Sequence, residues 1–187
     1  MTAALSIPAG HDWTADDLED LPDSYRFEIV DGALHMTPSP LPGHQELAHV
    51  LTSHLRRHLP DGWSAVQELD VVLSADGRNT RRPDVVVYRR GDPDVMLRPE
   101  RVALVVEIVS RSSKTEDRVT KPVVYADAGI GCYWRVEQQP AISVVEYRLT
   151  ELGKYYEHSP RAGVFKVDQP WPIEVDLDAV IREAGLA

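Results

Sequence analysis

The run Val102-Ala103-Leu104-Val105-Val106-Glu107-Ile108-Val109 decides how this chain is read. Apolar, mostly β-branched residues occupy both alternating sides, the pattern of a central strand covered on two faces. Glu107 is the exception. An ionised carboxylate on a buried strand is costly unless a cation or a metal ion compensates it.

Working outward, Asp84 opens a second strand-like run, Asp84-Val85-Val86-Val87-Tyr88, directly after Arg82-Pro83. If the two strands are neighbours, the carboxylates converge. Two carboxylates with a backbone carbonyl make the hard oxygen site that Mg²⁺ or Mn²⁺ prefers. Such an ion would hold a water and a phosphate oxygen together, lower the water's pKa and neutralise charge on phosphorus. Downstream, Ser113-Lys114-Thr115-Glu116 has capping-box spacing and predicts a helix to Ala128, with Gly129 as its stop. Lys121 lies on that helix with Asp117 at i−4, and is the candidate cation for the two acids. Pro122 follows directly and predicts a kink, so Lys114 and Arg118 stand as substitutes.

The remaining elements predict a sheet with helices packed on it. Trp13 to Leu18 reads as a capped helix, with Thr14 accepting from a first-turn amide. Tyr25–Val30 and Ala33–Met36 flank Asp31-Gly32, a hairpin signal. From His44 to Leu59, Leu47, Leu51, Leu55 and Leu59 form a helical stripe joined by Ala48, with Gln45, His49, Arg56 and Arg57 opposite, and Pro60-Asp61-Gly62 ends the helix. Val71–Leu73 leads to an Asp76-Gly77 turn. Cys132–Val136 and Ile142–Leu149 are further strands, Tyr155-Tyr156 and the Phe165 region are weaker ones, and Asp176–Ala184 is a closing helix. The order gives an α/β or α+β class.

Length and composition bound the function. The 187 residues fit one domain: an arm over 1–24, a core over 25–149, and C-terminal strands with a short helix over 150–187. One cysteine excludes an internal disulfide and a cysteine-based zinc site. Met1–Gly10 has no signal-peptide character and no stretch approaches a membrane span, so a cytoplasmic protein is expected. The net charge of −10 argues against a nonspecific nucleic-acid binder, yet residues 78–121 carry eleven Lys+Arg against seven Asp+Glu. That segment is the expected contact for a nucleic-acid backbone.

The ordered series Phe27-Glu28-Ile29-Val30-Asp31-Gly32, Pro83-Asp84, Val106-Glu107-Ile108-Val109-Ser110, Asp117, Lys121, Tyr125, Gly129 and Tyr133-Trp134 resembles the restriction-endonuclease family called Uma-two, within the PD-(D/E)XK nuclease superfamily. The resemblance runs from about Tyr25 to Leu149. It implies a restriction-endonuclease-like mixed β-sheet flanked by helices. It further implies that Asp84, Glu107 and the backbone carbonyl of Ile108 hold Mg²⁺ or Mn²⁺, that a lysine positions or polarises the attacking water, and that DNA is the partner. The superfamily places this lysine two residues after the glutamate, where Val109 stands here; in this family it has moved to the next helix, at Lys121. Glu28 matches a family position near the site. Dimerisation, common among restriction-type nucleases, carries over as analogy.

Other readings stay open. Glu107 could be a buried ion pair, Asp84 a strand-end cap, and Asp117–Lys121 an ordinary helix pair. His44 is a candidate phosphate or water contact. His54 and His58, at i and i+4, lack a third zinc ligand. Ser110 and Ser112 read as caps or site support, and Tyr125 and Tyr133-Trp134 as core. A nuclease-fold module without catalysis, or a nuclease for RNA or a small phosphodiester, are the alternatives to a DNA endonuclease.

Overall fold

A computed structural model describes residues 10–22, 25–92, 95–110 and 113–186. The molecule is α+β. Strands β1 (Arg26–Val30), β2 (Ala33–Thr37), β4 (Val71–Val72) and β5 (Thr80–Arg81) form a four-stranded sheet in the order β2-β1-β5-β4. Strands β3 (Trp63–Gln67), β6 (Val85–Arg89), β7 (Val102–Ile108), β8 (Cys132–Glu137), β9 (Ser143–Leu149) and β10 (Tyr155–Glu157) form a six-stranded sheet in the order β10-β9-β8-β7-β6-β3. It is mixed, because β7 and β8 run parallel while its other pairs are antiparallel. The hairpin β11 (Val164–Val167) and β12 (Ile173–Asp176) lies beside it.

Strand β7 has neighbours on both sides and apolar clusters on both faces. Leu104, Val106 and Ile108 pack with Leu47, Leu51 and Leu55 of helix α1 (Pro42–Arg56) and with Phe165, Val175 and Val180. Val102 and Val105 pack with Tyr125, Ile130 and Tyr133 on the opposite face. The leucine stripe therefore forms as expected, but α1 stops at Arg56, and Leu59 is only partly buried against the core.

Local chemistry sets the turns. Asp31 and Gly32 both take positive φ (50° and 79°), as a two-residue hairpin matched to strand twist requires. Thr14 precedes a 3-10 turn over Ala15–Asp20 and forms a capping box with Asp17: its side chain faces the Asp17 amide, as expected, and its amide and hydroxyl donate to Asp17 Oδ2 at 2.7 and 2.8 Å. An ionised carboxylate accepts only, so the threonine hydroxyl supplies the proton. Helix α3 (Leu177–Glu183) starts on Asp176, whose carboxylate accepts from Ala179 N at 3.0 Å.

The helix after β7 departs from the expected form. The Ser113–Glu116 box does not close; Ser113 Oγ donates to Asp117 instead. A π-helical turn spans Glu116–Thr120, with Lys121 N donating to Glu116 O five residues back, and α2 (Lys121–Asp127) follows. The cause is Pro122. It has no N–H for Arg118 O, and its ring would crowd that carbonyl; the wide turn moves the carbonyls aside and leaves proline in the first turn of α2, where no donor is needed. Three strands carry no clear signal in the sequence: β3, whose alternation is weak, the two-residue β5, and β12.

Candidate active site

Register brings the acids together. Val85 of β6 faces Val106 of β7, so continuing the antiparallel ladder sets Asp84 opposite Glu107. Glu107 is buried at 2% exposure, and both its oxygens are engaged: Tyr125 Oη donates to Oε1 at 2.6 Å, and Lys121 Nζ lies 2.8 Å from Oε2. Lys121 also lies 3.1 Å from Asp117 Oδ1, and Asp117 is 1% exposed. The π turn thus delivers Lys121 to Glu107, one of the two acids that the sequence assigned it, and to Asp117, despite Pro122. The substitutes fall elsewhere: Arg118 forks onto Glu137 at 2.9 and 2.7 Å, and Lys114 is exposed.

Asp84 Oδ2 accepts from Ile108 N at 2.7 Å, and His44 Nε2 stands 3.2 Å from Oδ2 and 3.1 Å from Ile108 O. The first turn of α1 therefore reaches across to the carboxylate mouth. Glu28, 8% exposed, accepts from Arg82 N at 3.1 Å. Ser110 bonds to Ser113 through its hydroxyl at 2.8 Å and supports the Asp117 turn, while Ser112 lies outside the described residues. His54 binds Glu183 at 3.1 Å and His58 is exposed, so this pair forms no metal site.

The charges are strongly coupled. Burial pushes Glu107 and Asp117 upward, opposed in each by the Lys121 ammonium. Burial would lower Lys121, but Glu107 and then Asp117 outweigh it and hold the lysine above its ordinary range, firmly protonated. For His44, desolvation opposes the charge, yet the Asp84 carboxylate and the Ile108 carbonyl raise its pKa overall.

Three residues at this mouth had been passed over. Tyr125, expected as core packing, clamps Glu107; its i+4 spacing from Lys121 was the available signal. Arg26, two residues before Glu28 on one face of β1, ion-pairs with Glu68 and feels the field of Asp84. Glu68, at φ 55°, is also bonded by Gln45 Nε2. No sequence pattern announces a left-handed glutamate.

The donor set suits a hard divalent ion. Asp84, Glu107 and Ile108 O offer oxygen alone at one mouth, Asp84 Oδ1 has no hydrogen-bond partner among the described residues, and each Glu107 oxygen, engaged once, keeps a further lone pair. No three His, Cys, Asp or Glu side chains among the described residues form a metal cluster, so an all-side-chain site is not what these residues offer.

Most arginines of the basic segment have partners within the protein. Arg81 is buried on the carbonyls of Ile29 and Thr80, Arg78, Arg82 and Arg118 are paired with carboxylates, and Arg98 and Arg101 bond to main-chain carbonyls. These guanidinium bonds close short strands and long connections, so much of the segment's positive charge is engaged within the protein. Among the described residues no helix is long and apolar enough to cross a membrane.

The fold is shared with a solved structure described as a "putative nuclease belonging to DUF820" from Anabaena variabilis. The TM-score is 0.69 at 15% identity, covering 92% of this chain and 99% of that one. No curated protein matches the chain. Residues 15–177 match the family Uma2, described as "Putative restriction endonuclease", and the chain belongs to that family.

Proposed function

We propose that this protein is a divalent-metal-dependent endonuclease that hydrolyses phosphodiester bonds of DNA. The observation that carries the reading is Lys121 Nζ at 2.8 Å from Glu107 Oε2, on the strand position directly opposite Asp84. An ordinary buried ion pair needs one carboxylate; here Asp84, Glu107 and Asp117 gather at one strand end with a single buried ammonium.

Asp84, Glu107 and the Ile108 carbonyl would hold Mg²⁺ or Mn²⁺. When bound, the ion supplies Lewis acidity at phosphate and makes a water nucleophilic near neutral pH. Lys121, kept charged, orients the attacking water and offsets charge that grows on the phosphoryl oxygens. Asp117 and Glu107 hold that ammonium in place, and Tyr125 fixes the Glu107 rotamer. His44 keeps a proton at Nε2 between Asp84 and Ile108 O, which orients both donors. Glu28 and Arg26 stand behind as supports. Water attacks in line with the leaving oxygen. Cleavage of both strands calls for two such sites, hence two copies, acting in the cytoplasm.

A second reading is a noncatalytic nuclease-fold module. It is favoured by the engagement of both Glu107 oxygens by Tyr125 and Lys121. Plasmid nicking in Mg²⁺ or Mn²⁺ separates the two. Wild type should nick, and Asp84→Ala and Glu107→Ala should not. Nicking retained by the double variant refutes the assignment; a wild type that neither nicks nor responds to millimolar Mn²⁺ by calorimetry supports the module. Parallel assays on duplex, single-stranded and RNA substrates fix the substrate class.

A further inference from the structure

Two pairs of exposed arginines lie at the end of the fold away from the Asp84 carboxylate. Arg56 and Arg57 close α1, while Arg89 and Arg90 close β6; all four are exposed, and none forms an ion pair among the described residues. Elsewhere arginines such as Arg78, Arg82, Arg118, Arg135 and Arg148 are ion-paired. Four like charges at one end of the fold raise the local positive potential. Arg56 and Arg57 do suit the negative end of α1. Arg89 and Arg90 sit at a strand end, where no such dipole exists.

The same place holds a groove lined by Arg56, Arg90, Trp63 and Ser64, with Asp61 as its acidic rim residue. Trp63 is half-buried, pairs in register with Arg89, and leans on Trp171 at 5.1 Å. Arg56 Nε is tied to Ala65 O at 2.7 Å, which sets its guanidinium over the open edge of β3. Arg90 N is tied to Gly62 O at 2.8 Å. The groove thus combines one guanidinium held in place, at Arg56, and a second on an anchored main chain, at Arg90, with an indole.

Two elements join this groove to the candidate active site. Helix α1 begins with His44 at Asp84 and ends with Arg56, and β3 begins at Trp63 and ends beside Glu68, which Arg26 and Gln45 hold. At about 1.5 Å per residue, α1 separates the two ends by roughly 18 Å. That equals about five base steps at 3.4 Å along a strand. Gln45, His49, Ser53 and Arg56 recur every three to four residues, so the side of α1 turned from the leucine stripe is a polar track with the exposed Glu46 as its one acid.

We propose that the groove lined by Arg56 and Arg90, flanked in sequence by the exposed Arg57 and Arg89, binds the phosphate backbone of the polynucleotide substrate about five nucleotides from the cleaved bond. This rests on the endonuclease reading. It gives an acidic protein a local cationic hold that does not place arginines at the metal donors. An acidic protein partner is the competing occupant.

The test is anisotropy of a fluorescein-labelled 30-base-pair duplex in EDTA across a salt series, with full-length wild type, R89Q/R90Q and R56Q/R57Q/R89Q/R90Q. Circular dichroism checks the fold, and R89Q/R90Q guards against loss of the Arg56–Ala65 bond. The slope of log K against log salt should fall by about 0.9 per arginine removed, so by about 1.8 in the double variant. At about 0.1 M salt its affinity should drop at least tenfold. The loss should vanish on duplexes with fewer than about five base pairs beside the cut. An unchanged slope with wild-type nicking intact overturns the groove and leaves the endonuclease reading standing. A wild type that neither binds nor nicks any polynucleotide overturns both, and the acidic-partner alternative takes the groove.

Discussion

Replacing Lys121 by methionine tests the arrangement on which the site depends. Methionine keeps the stem and removes the ammonium from between Glu107, 2% exposed, and Asp117, 1% exposed. Breaking a buried pair by deleting one partner costs about 3–5 kcal/mol, because the remaining charge is left uncompensated. For a chain of this length each kcal/mol moves Tm by about 2–4 °C, so the melt should fall by roughly 6–20 °C. The deficit must also depend on pH. Burial holds the folded Glu107 carboxyl above the unfolded value of about 4.3, and losing Lys121 removes the pull that opposed it. Below that value both states are protonated and the penalty is absent. Above it the unfolded chain sheds a proton that the folded one keeps, so stability falls as pH rises through the raised pKa. The lysine's own contribution is flat here, since its pKa is raised from a value already far above this window. Scanning calorimetry in EDTA at pH 5 and pH 8 should therefore show a gap between wild type and Lys121→Met that widens with pH, and Glu107→Gln added to that variant should recover at least half of it. A Lys121→Met protein that melts within about 2 °C of wild type at pH 8 would refute the reasoning.

Further outcomes follow from single contacts. Tyr125→Phe strips the 2.6 Å donor from a fully buried carboxylate, so chemical unfolding should show a loss of about 1–3 kcal/mol, with nicking reduced and not abolished. Cys132 is 3% exposed and burial pushes its thiol up to about 12, so iodoacetamide at pH 8 should label it only after denaturation; rapid native labelling, read by mass spectrometry, would contradict this. Phe165 is fully buried with its ring 4.9 Å from that of Trp134, and Phe165→Ala should cost about 3–5 kcal/mol in urea unfolding.

Much of the site was legible because one residue violated its surroundings. Glu107 in an apolar strand and Asp84 at a strand mouth are local facts, and antiparallel pairing of two adjacent valine-rich strands is enough to make them meet. Lys121 was legible as a helix partner of Asp117, but its aim was not: proline argued against it, and the answer was a π turn whose form depends on how the chain packs back over β7. The Tyr125 clamp followed helical spacing and was read as core, since burial alone does not say whether a phenol donates. Arg26 and Glu68 lie 42 positions apart and meet only through the packing of β1 against the end of β3.

Charge shows the same division. Composition announces an acidic chain with a basic middle, because counting needs no coordinates. Which cations are paired with carboxylates, and which form no ion pair among the described residues, as at Arg56, Arg57, Arg89 and Arg90, depends on distances between segments remote in sequence. Hydrophobic periodicity and turn chemistry are properties of neighbours along the chain, so strands, helices and hairpin could be read from residues in order. Ion pairs, the direction of a lysine and the location of an open groove are properties of neighbours in space, and they exist only once β6, β7, α1 and α2 have packed.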